Sequence, residues 1–299
     1  MATELELRKR IRSVKNISQV TKALSAVSAS KARRAEKQVK ATRDYAGKAY
    51  EILNNLASQA SSNAHPMLTS REKIERTAVI VMTGDRGLAG AYNTNAIRLA
   101  ENFLRSIDTP VDVIAVGRKG RDLLIRRGCN VDASFTAIPD PPSVSDIYPI
   151  ARIVSDEYLE GKYDEVFICY TDFVNLASAK TVVRQLLPLK PLDHDGMALN
   201  EYLTETQAVE AREASYSYEP SPDQLLSTIV PRFTELQIFQ ALLEAIASEH
   251  SARFMAMQNA TENANSLVES LTLERNKVRQ TAITNEILDI VGGAEALAD

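Results

Sequence analysis

Apolar positions divide this chain into three stretches with two different periods. Counted from Leu7 in alternating steps of four and three, the first stretch runs through Leu7, Ile11, Val14, Ser18, Thr21, Ser25, Ser28, Ala32, Ala35, Val39, Thr42, Ala46, Ala49, Leu53, Leu56 and Ala60. That heptad-like stripe predicts one long helix over residues 3–60, broken only by Gly47 and otherwise filled with strong helix formers. Its middle, Ser18 to Ala35, is made of small and hydroxyl residues with Ile17, Val20, Leu24 and Val27 alongside, so a partner helix can approach closely there. The last stretch has no Gly or Pro from Arg232 to Val291 and repeats apolar residues at Phe233, Leu236, Phe239, Leu243, Ile246, Phe254, Met257, Val268, Leu271, Val278, Ile287 and Val291. Sixty residues of helix span roughly 90 Å, a length that outside a membrane calls for a coiled-coil partner. Pro231 near its start and Gly292-Gly293 past its end mark the expected helix limits.

Between these ends the period shortens. Short apolar, β-branched runs at Thr77–Thr83, Val111–Val116 and Glu165–Thr171, with a further candidate at Thr181–Leu187, read as strands. Helical patterns at Thr94–Arg105, Lys119–Arg127 and Ile147–Glu160 separate them, and this alternation implies a mainly parallel sheet with helices on its faces. The Pro-rich stretch Ala137–Pro149 reads as a loop, and the acidic stretch Leu192–Pro222 as a loop or edge hairpin. The expected fold is therefore α/β: N- and C-terminal helices (1–60 and 222–291) pair as an antiparallel coiled coil and flank a Rossmann-like parallel-sheet domain (75–220).

Composition sharpens this division. Eight of eleven Gly and all eleven Pro lie between Pro66 and Pro231. The net charge of −4 hides a first end (1–60) at +8 and a last end (222–299) at −6, a complementarity that favours pairing. Cys129 and Cys169 stand far apart with no CxxC, which reads as two reduced thiols in a cytosolic compartment. No run of about 18 apolar residues predicts a membrane span, and the first residues lack the pattern of a secretory signal.

Candidate chemistry is sparse. Gly84-Asp85-Arg86-Gly87-Leu88-Ala89-Gly90 sits between a strand and a helix, where a dinucleotide loop would lie, but its spacing is GxxGxxG, and it reads as a structural turn. His65, His194 and His250 have no metal-ligand spacing; His250 reads as a satisfied core or seam histidine on the last helix. No catalytic signature is present, so no catalytic, cofactor or metal residue is assigned. The basic block Lys31, Arg33, Arg34, Lys37, Lys40 and Arg43 lacks interleaved aromatics, and reads as a solvated face or a surface for an acidic protein, not a nucleic-acid footprint. Near the end, polar Arg279-Gln280 and Thr284-Asn285-Glu286 give way to apolar Ile287, Leu288, Ile290 and Val291, a helix tip that water disfavours unless something encloses it.

Three stretches resemble a known family: Ile11–Lys37, Thr83–Asn93 (TGDRGLAGAYN) and Asn276–Leu297, the last around Ile283-Thr284-Asn285-Glu286. In this order and layout the chain resembles the γ-subunit family of F-type ATP synthase, the central rotor shaft. The resemblance implies a non-catalytic subunit whose helix pair runs through a hexamer of α and β subunits, with ATP made or hydrolysed on β. It implies that the asymmetric shaft couples proton-driven rotation of the membrane c ring to that chemistry, and that the central domain is the foot meeting the ε subunit and the c ring. No nucleic acid is implied, and membrane association comes only through the complex, peripherally on the cytoplasmic face of a bacterial cell membrane.

By the same resemblance, Arg279, Gln280, Thr284, Asn285 and Glu286 correspond to polar contacts with β, Lys9 and Arg10 to a basic pair facing acidic stator residues, and Ile287 to Val291 to an apolar tip held in a hydrophobic bearing. Leu24, also an interface position, stands where relatives often have Met. Ala26 and Ala32 replace Met, and Gly84 and Ala89 replace Ser and Cys, changes expected to thin the helix seam. Plastid members carry a close Cys pair; isolated Cys129 and Cys169 imply no thiol switch.

Overall fold

The computed structural model describes residues 3–59, 65–189, 219 and 221–296. Ala60, His194, Leu297 and nearly all of the acidic stretch 192–222 lie outside the described residues. Among the described residues, five α-helices and five strands follow in order, with a short 3-10 turn at Pro66–Leu68 between the first two: α1 (Glu4–Gln59), β1 (Thr77–Met82), α2 (Tyr92–Ser106), β2 (Val111–Val116), α3 (Arg118–Arg126), β3 (Val131–Phe135), α4 (Val144–Leu159), β4 (Glu165–Asn175), β5 (Ser178–Leu187) and α5 (Pro222–Ala296). The chain separates into two compact units, one of residues 29–252 and one of 1–28 with 253–299.

In the larger unit the sheet order is β3-β2-β1-β4-β5. β1 pairs in parallel with β2 and β4, β2 with β3, and β5 returns antiparallel along β4. Both faces are covered, which is why TAVIVM in β1 is buried at every position and apolar throughout after Thr77. Its alternate residues separate the two layers: Val79 and Val81 join Ile97, Ala100 and Leu124 of α2 and α3. Ala78, Ile80 and Met82 face the larger core with Ile147, Ile150 and Val154 of α4, Leu53 and Leu56 of α1, and Leu226, Val230 and Leu242 of α5. A smaller cluster joins Ala35 and Val39 of α1, Leu243 and Ala247 of α5, and Phe173 of β4.

In the smaller unit, α1 opens on a reciprocal cap. Thr3 N–H donates to Glu6 Oε2 (3.0 Å) and Glu6 N–H to Thr3 Oγ1 (3.3 Å). The helices there are antiparallel: Ser18 Oγ donates to Asn265 Oδ1 at 2.7 Å, and one turn along α1 the Thr21 and Thr261 hydroxyls meet at 2.7 Å. Leu7, Ile11, Met257 and Ala264 of the same unit are buried.

Four expectations change. β3 was not anticipated; its short, half-polar sequence VDASF alternates on an edge and lacks a β-branched run. β4 and β5 are longer than expected because they form a hairpin, turned where Asn175 Oδ1 accepts from the Ala177 and Ser178 N–H groups. The last helix starts at Pro222 as expected, with Pro231 inside it between buried Val230 and Phe233, but α5 does not stop before Gly292-Gly293 and continues through them to Ala296. The fourth concerns Arg43: unlike Arg33, Arg34 and Lys37, it leaves the solvated face and turns into a buried ion cluster.

Candidate functional site

The carboxyl ends of the parallel strands are where this class of sheet binds ligands, at the point where strand order reverses. That point lies between β1 and β4, and here α5 itself covers it. Ser248 Oγ donates to the Thr171 carbonyl of β4 at 3.0 Å. The carboxylate of the next residue, Glu249, fills the space a Cβ on Gly84 would take, within 2.6 Å of it, just past β1. His250 Nε2 meets Asp140 Oδ2 at 3.0 Å on the loop between β3 and α4, and the same oxygen accepts from Lys31 Nζ of α1 at 2.7 Å. Burial pushes the Asp140 carboxyl up, but Lys31 and His250 outweigh it and hold it below its ordinary range. His250 is thus a buried, partnered histidine, as expected.

The glycine-containing loop is committed to this architecture. The Gly84 N–H donates to Asn93 Oδ1 (2.8 Å), and Thr83 Oγ1 accepts from the Gly120 N–H (2.9 Å). Asp85 accepts from the Arg118 N–H at the first residue of α3 and from the Ala137 N–H, each at 2.8 Å. A helix N-terminus attracts an anion, and the chain supplies its own carboxylate there. Elsewhere on the unit, a shallow cleft between α4 and α5 is lined by Tyr148, Pro149, Arg152, Pro231 and Arg232; its arginines already pair with Asp156 and Glu235.

Beside the covered strand ends lies the buried ion cluster. Arg43 of α1 donates from Nε to Glu244 Oε1 of α5 (2.9 Å), and from Nη2 to Asp172 Oδ1 of β4 (3.0 Å) and to the Phe173 carbonyl (2.8 Å). Arg184 of β5 reaches the other Asp172 oxygen at 3.4 Å. The Glu244 side chain is 2% exposed. Burial first, and the Asp172 carboxylate with it, push Glu244 up to about 7 against the pull of Arg43. Of this cluster only Arg43 stands out in the sequence, where it reads as part of a solvated basic face. The missed signal is that its partners Asp172 and Glu244 stand in otherwise apolar runs, CYTDFV and ALLEAIA.

Compared with known proteins, the chain matches the ATP synthase family model over residues 3–297. It is 42% identical over 303 residues to the ATP synthase gamma chain of Roseiflexus castenholzii, covering all of both chains, and 41% identical to that of Moorella thermoacetica, covering 99% of this chain and 100% of the other. The chain belongs to the ATP synthase gamma chain family. As a gamma chain it is a central-stalk subunit of the F-type enzyme. Its fold is similar to a chain in the central stalk/c-ring structure of the Tetrahymena thermophila mitochondrial ATP synthase, with a TM-score of 0.60, 24% identity, and coverage of 81% of this chain and 99% of that one. It is also similar to a chain of the Euglena gracilis mitochondrial ATP synthase, with a TM-score of 0.64, 19% identity, and coverage of 97% and 93%.

The expected gamma chain contact residues all fall in the smaller unit. Lys9 and Arg10 are exposed on α1, and Leu24 is half-buried further along it. Arg279, Gln280, Thr284, Asn285, Glu286, Ile287 and Val291 are exposed on α5, with Thr284 Oγ1 donating to the Gln280 carbonyl at 2.9 Å. Ser18 opposite Asn265 and Thr21 opposite Thr261 set the register. Both helices rise equally per residue, so α1 begins opposite about residue 279 and the turns of α5 beyond it have no facing α1 turn. Every residue from Thr281 to Val291 is exposed. The structure therefore groups Arg279–Val291 on one unaccompanied helix end and leaves Leu24 apart from them. Ile17, Val20 and Val27 face outward, and Ala26 lies outside the seam, whereas Ala32 is fully buried within it.

Proposed function

We propose that this gamma chain is the non-catalytic rotor shaft, coupling proton-driven rotation of a c ring to ATP synthesis, or ATP hydrolysis to rotation, on β subunits of an α/β hexamer. Residues 1–60 and 222–291 serve as the shaft helices and residues 75–220 as the foot facing the ε subunit and c ring, with the complex at the cytoplasmic face of a bacterial membrane. Among the described residues no helix is long and apolar enough to cross a membrane, so attachment runs through partner subunits in this reading.

One observation supports it above the others. Ile287, Leu288, Ile290 and Val291 are 55%, 62%, 72% and 55% exposed, next to the polar turns Arg279–Glu286. Contiguous apolar surface of that kind marks a binding site. An apolar collar around Ile287–Val291, with β-subunit groups meeting Arg279, Gln280, Thr284, Asn285 and Glu286, satisfies both halves of the pattern. Lys9, Arg10 and Leu24 then meet the same hexamer lower on the shaft. Because a shaft of two unequal helices presents a different face at each angle, it interacts differently with each β conformation, as coupling requires. The test is reconstitution: the purified chain mixed with α and β subunits forms a complex whose ATP-driven rotation is seen on single molecules. A chain that neither binds the hexamer nor restores rotation overturns the proposal.

A further inference from the structure

We propose that the buried cluster of Arg43, Asp172, Glu244 and Arg184 is a torsional lock, which fixes the angle of α1 and α5 against the sheet and makes Arg43 a positioning residue for rotary coupling. The proposal rests on the rotor reading above.

A shaft needs a fixed angle at its joint. Apolar packing resists separation of a helix from a sheet, but a rounded apolar stripe can roll by repacking its side chains. A roll of about 20° moves an atom at a helix's outer radius, roughly 5 Å, by nearly 2 Å. Hydrogen bonds do not tolerate such a shift, since their lengths vary by only about 0.5 Å. Directional contacts made by one rigid group to several elements therefore lock an angle that hydrophobic contacts leave soft.

Arg43 has that form. Its planar fork, held at 14% exposure, joins α1 to α5 through Glu244 and to β4 through both the Asp172 carboxylate and the Phe173 carbonyl. Arg184 holds Asp172 from β5, and Phe173 and Leu243, the chain neighbours of Asp172 and Glu244, belong to an apolar cluster with Val39 and Ala247. A buried ion cluster is a poor choice for stability alone, because apolar side chains of similar volume often serve as well or better. Its best-attested use is to fix one geometry among several, which is the property a torque joint requires. Twelve residues earlier on α1, about 18 Å of helix, Lys31 with Asp140 and His250 makes a second tie among α1, the β3–α4 loop and α5. Two separated ties resist twist better than one.

The test uses the whole ATP synthase in sealed vesicles, with ATP hydrolysis and ATP-driven proton transport measured together. Arg43→Met combined with Glu244→Leu removes one charge of each sign and leaves Asp172 to Arg184. The expected enzyme assembles and hydrolyses ATP, while proton transport per ATP falls by at least about twofold, the scale at which a link in a packed network alters coupling. Arg43→Lys keeps the charge but not the fork; its unfolding midpoint is expected to stay at the wild-type value while the transport ratio falls. An unchanged ratio in the double variant, or in Arg43→Lys should the double variant not fold, overturns the lock. Failure of the wild-type chain itself to assemble with α and β overturns the rotor reading instead.

Discussion

Gly84 and Gly117 follow the neighbouring strands β1 and β2 at the same carboxyl end of the sheet, yet their tolerance differs. Gly117 sits at φ +97°, and a Cβ there would lie 2.1 Å from the Thr83 carbonyl oxygen, a backbone atom that cannot yield. Gly117→Ala is expected to cost at least about 3 kcal/mol, from left-handed strain and a clash together. At Gly84 the obstructing atoms are the flexible end of Glu249, so Gly84→Ala is expected to cost under about 1 kcal/mol. Urea unfolding of both variants checks the contrast, and equal losses refute it. Glu244 makes a pH-dependent prediction at the same scale. Its carboxyl, ordinarily near 4.5, is raised to about 7 in the folded chain. Between those values the folded state holds a proton that the unfolded state has released, so this group lowers stability as pH rises through that window and adds nothing further above it. The urea midpoint of wild type relative to Glu244→Gln should therefore fall from pH 5 to pH 7 and then level off. A difference that stays flat across pH 5 to 8 contradicts the raised carboxyl.

At the scale of elements, the stripe from Leu7 to Leu56 was legible because both helix pairing and core packing obey the same 3.5-residue period. None of its described members is exposed. β3 was not legible, since an edge strand packed on alternate residues carries little hydrophobic signal. Nor was the ion cluster: Arg43, Asp172 and Glu244 lie more than 70 residues apart in consecutive order, and only the tertiary fold joins them. The exposed end of α5 was legible as a change from polar to apolar residues, but its lack of a facing helix depends on the register of α1. That register rests on small side chains. Thr21 is nearly buried against Thr261, and each hydroxyl has the carbonyl of its own preceding turn within reach. Thr21→Val keeps the shape and orphans no hydroxyl, so it should cost about 1 kcal/mol or less. Thr21→Leu overfills the seam and should cost about 1–3 kcal/mol. Thermal unfolding followed by helical circular dichroism separates the two, and a Leu variant as stable as the Val variant means that the seam is not closely packed.

At the scale of the whole molecule, stability and function make opposite demands on the last turns of α5. Ile287 and Ile290 are 55% and 72% exposed, so the folded chain gains little from them. Replacing both with Asp removes apolar surface that the isolated chain leaves in water, and its unfolding free energy should change by no more than about 0.5 kcal/mol, the range of surface substitutions. On the proposed seating of the tip, the same pair of changes would place two charges against an apolar collar in the assembled enzyme. Burying an unpaired carboxylate is costly enough to prevent seating of the tip, so affinity for the α/β hexamer and the yield of coupled rotation should both fall. The comparison is between two measurements on one variant: chemical unfolding of the free chain, and binding to immobilised hexamer followed by single-molecule rotation. A variant that unfolds early in isolation assigns these residues to the chain's own packing. One that is stable and still binds and rotates as wild type shows that the apolar end of α5 is not held by its partners.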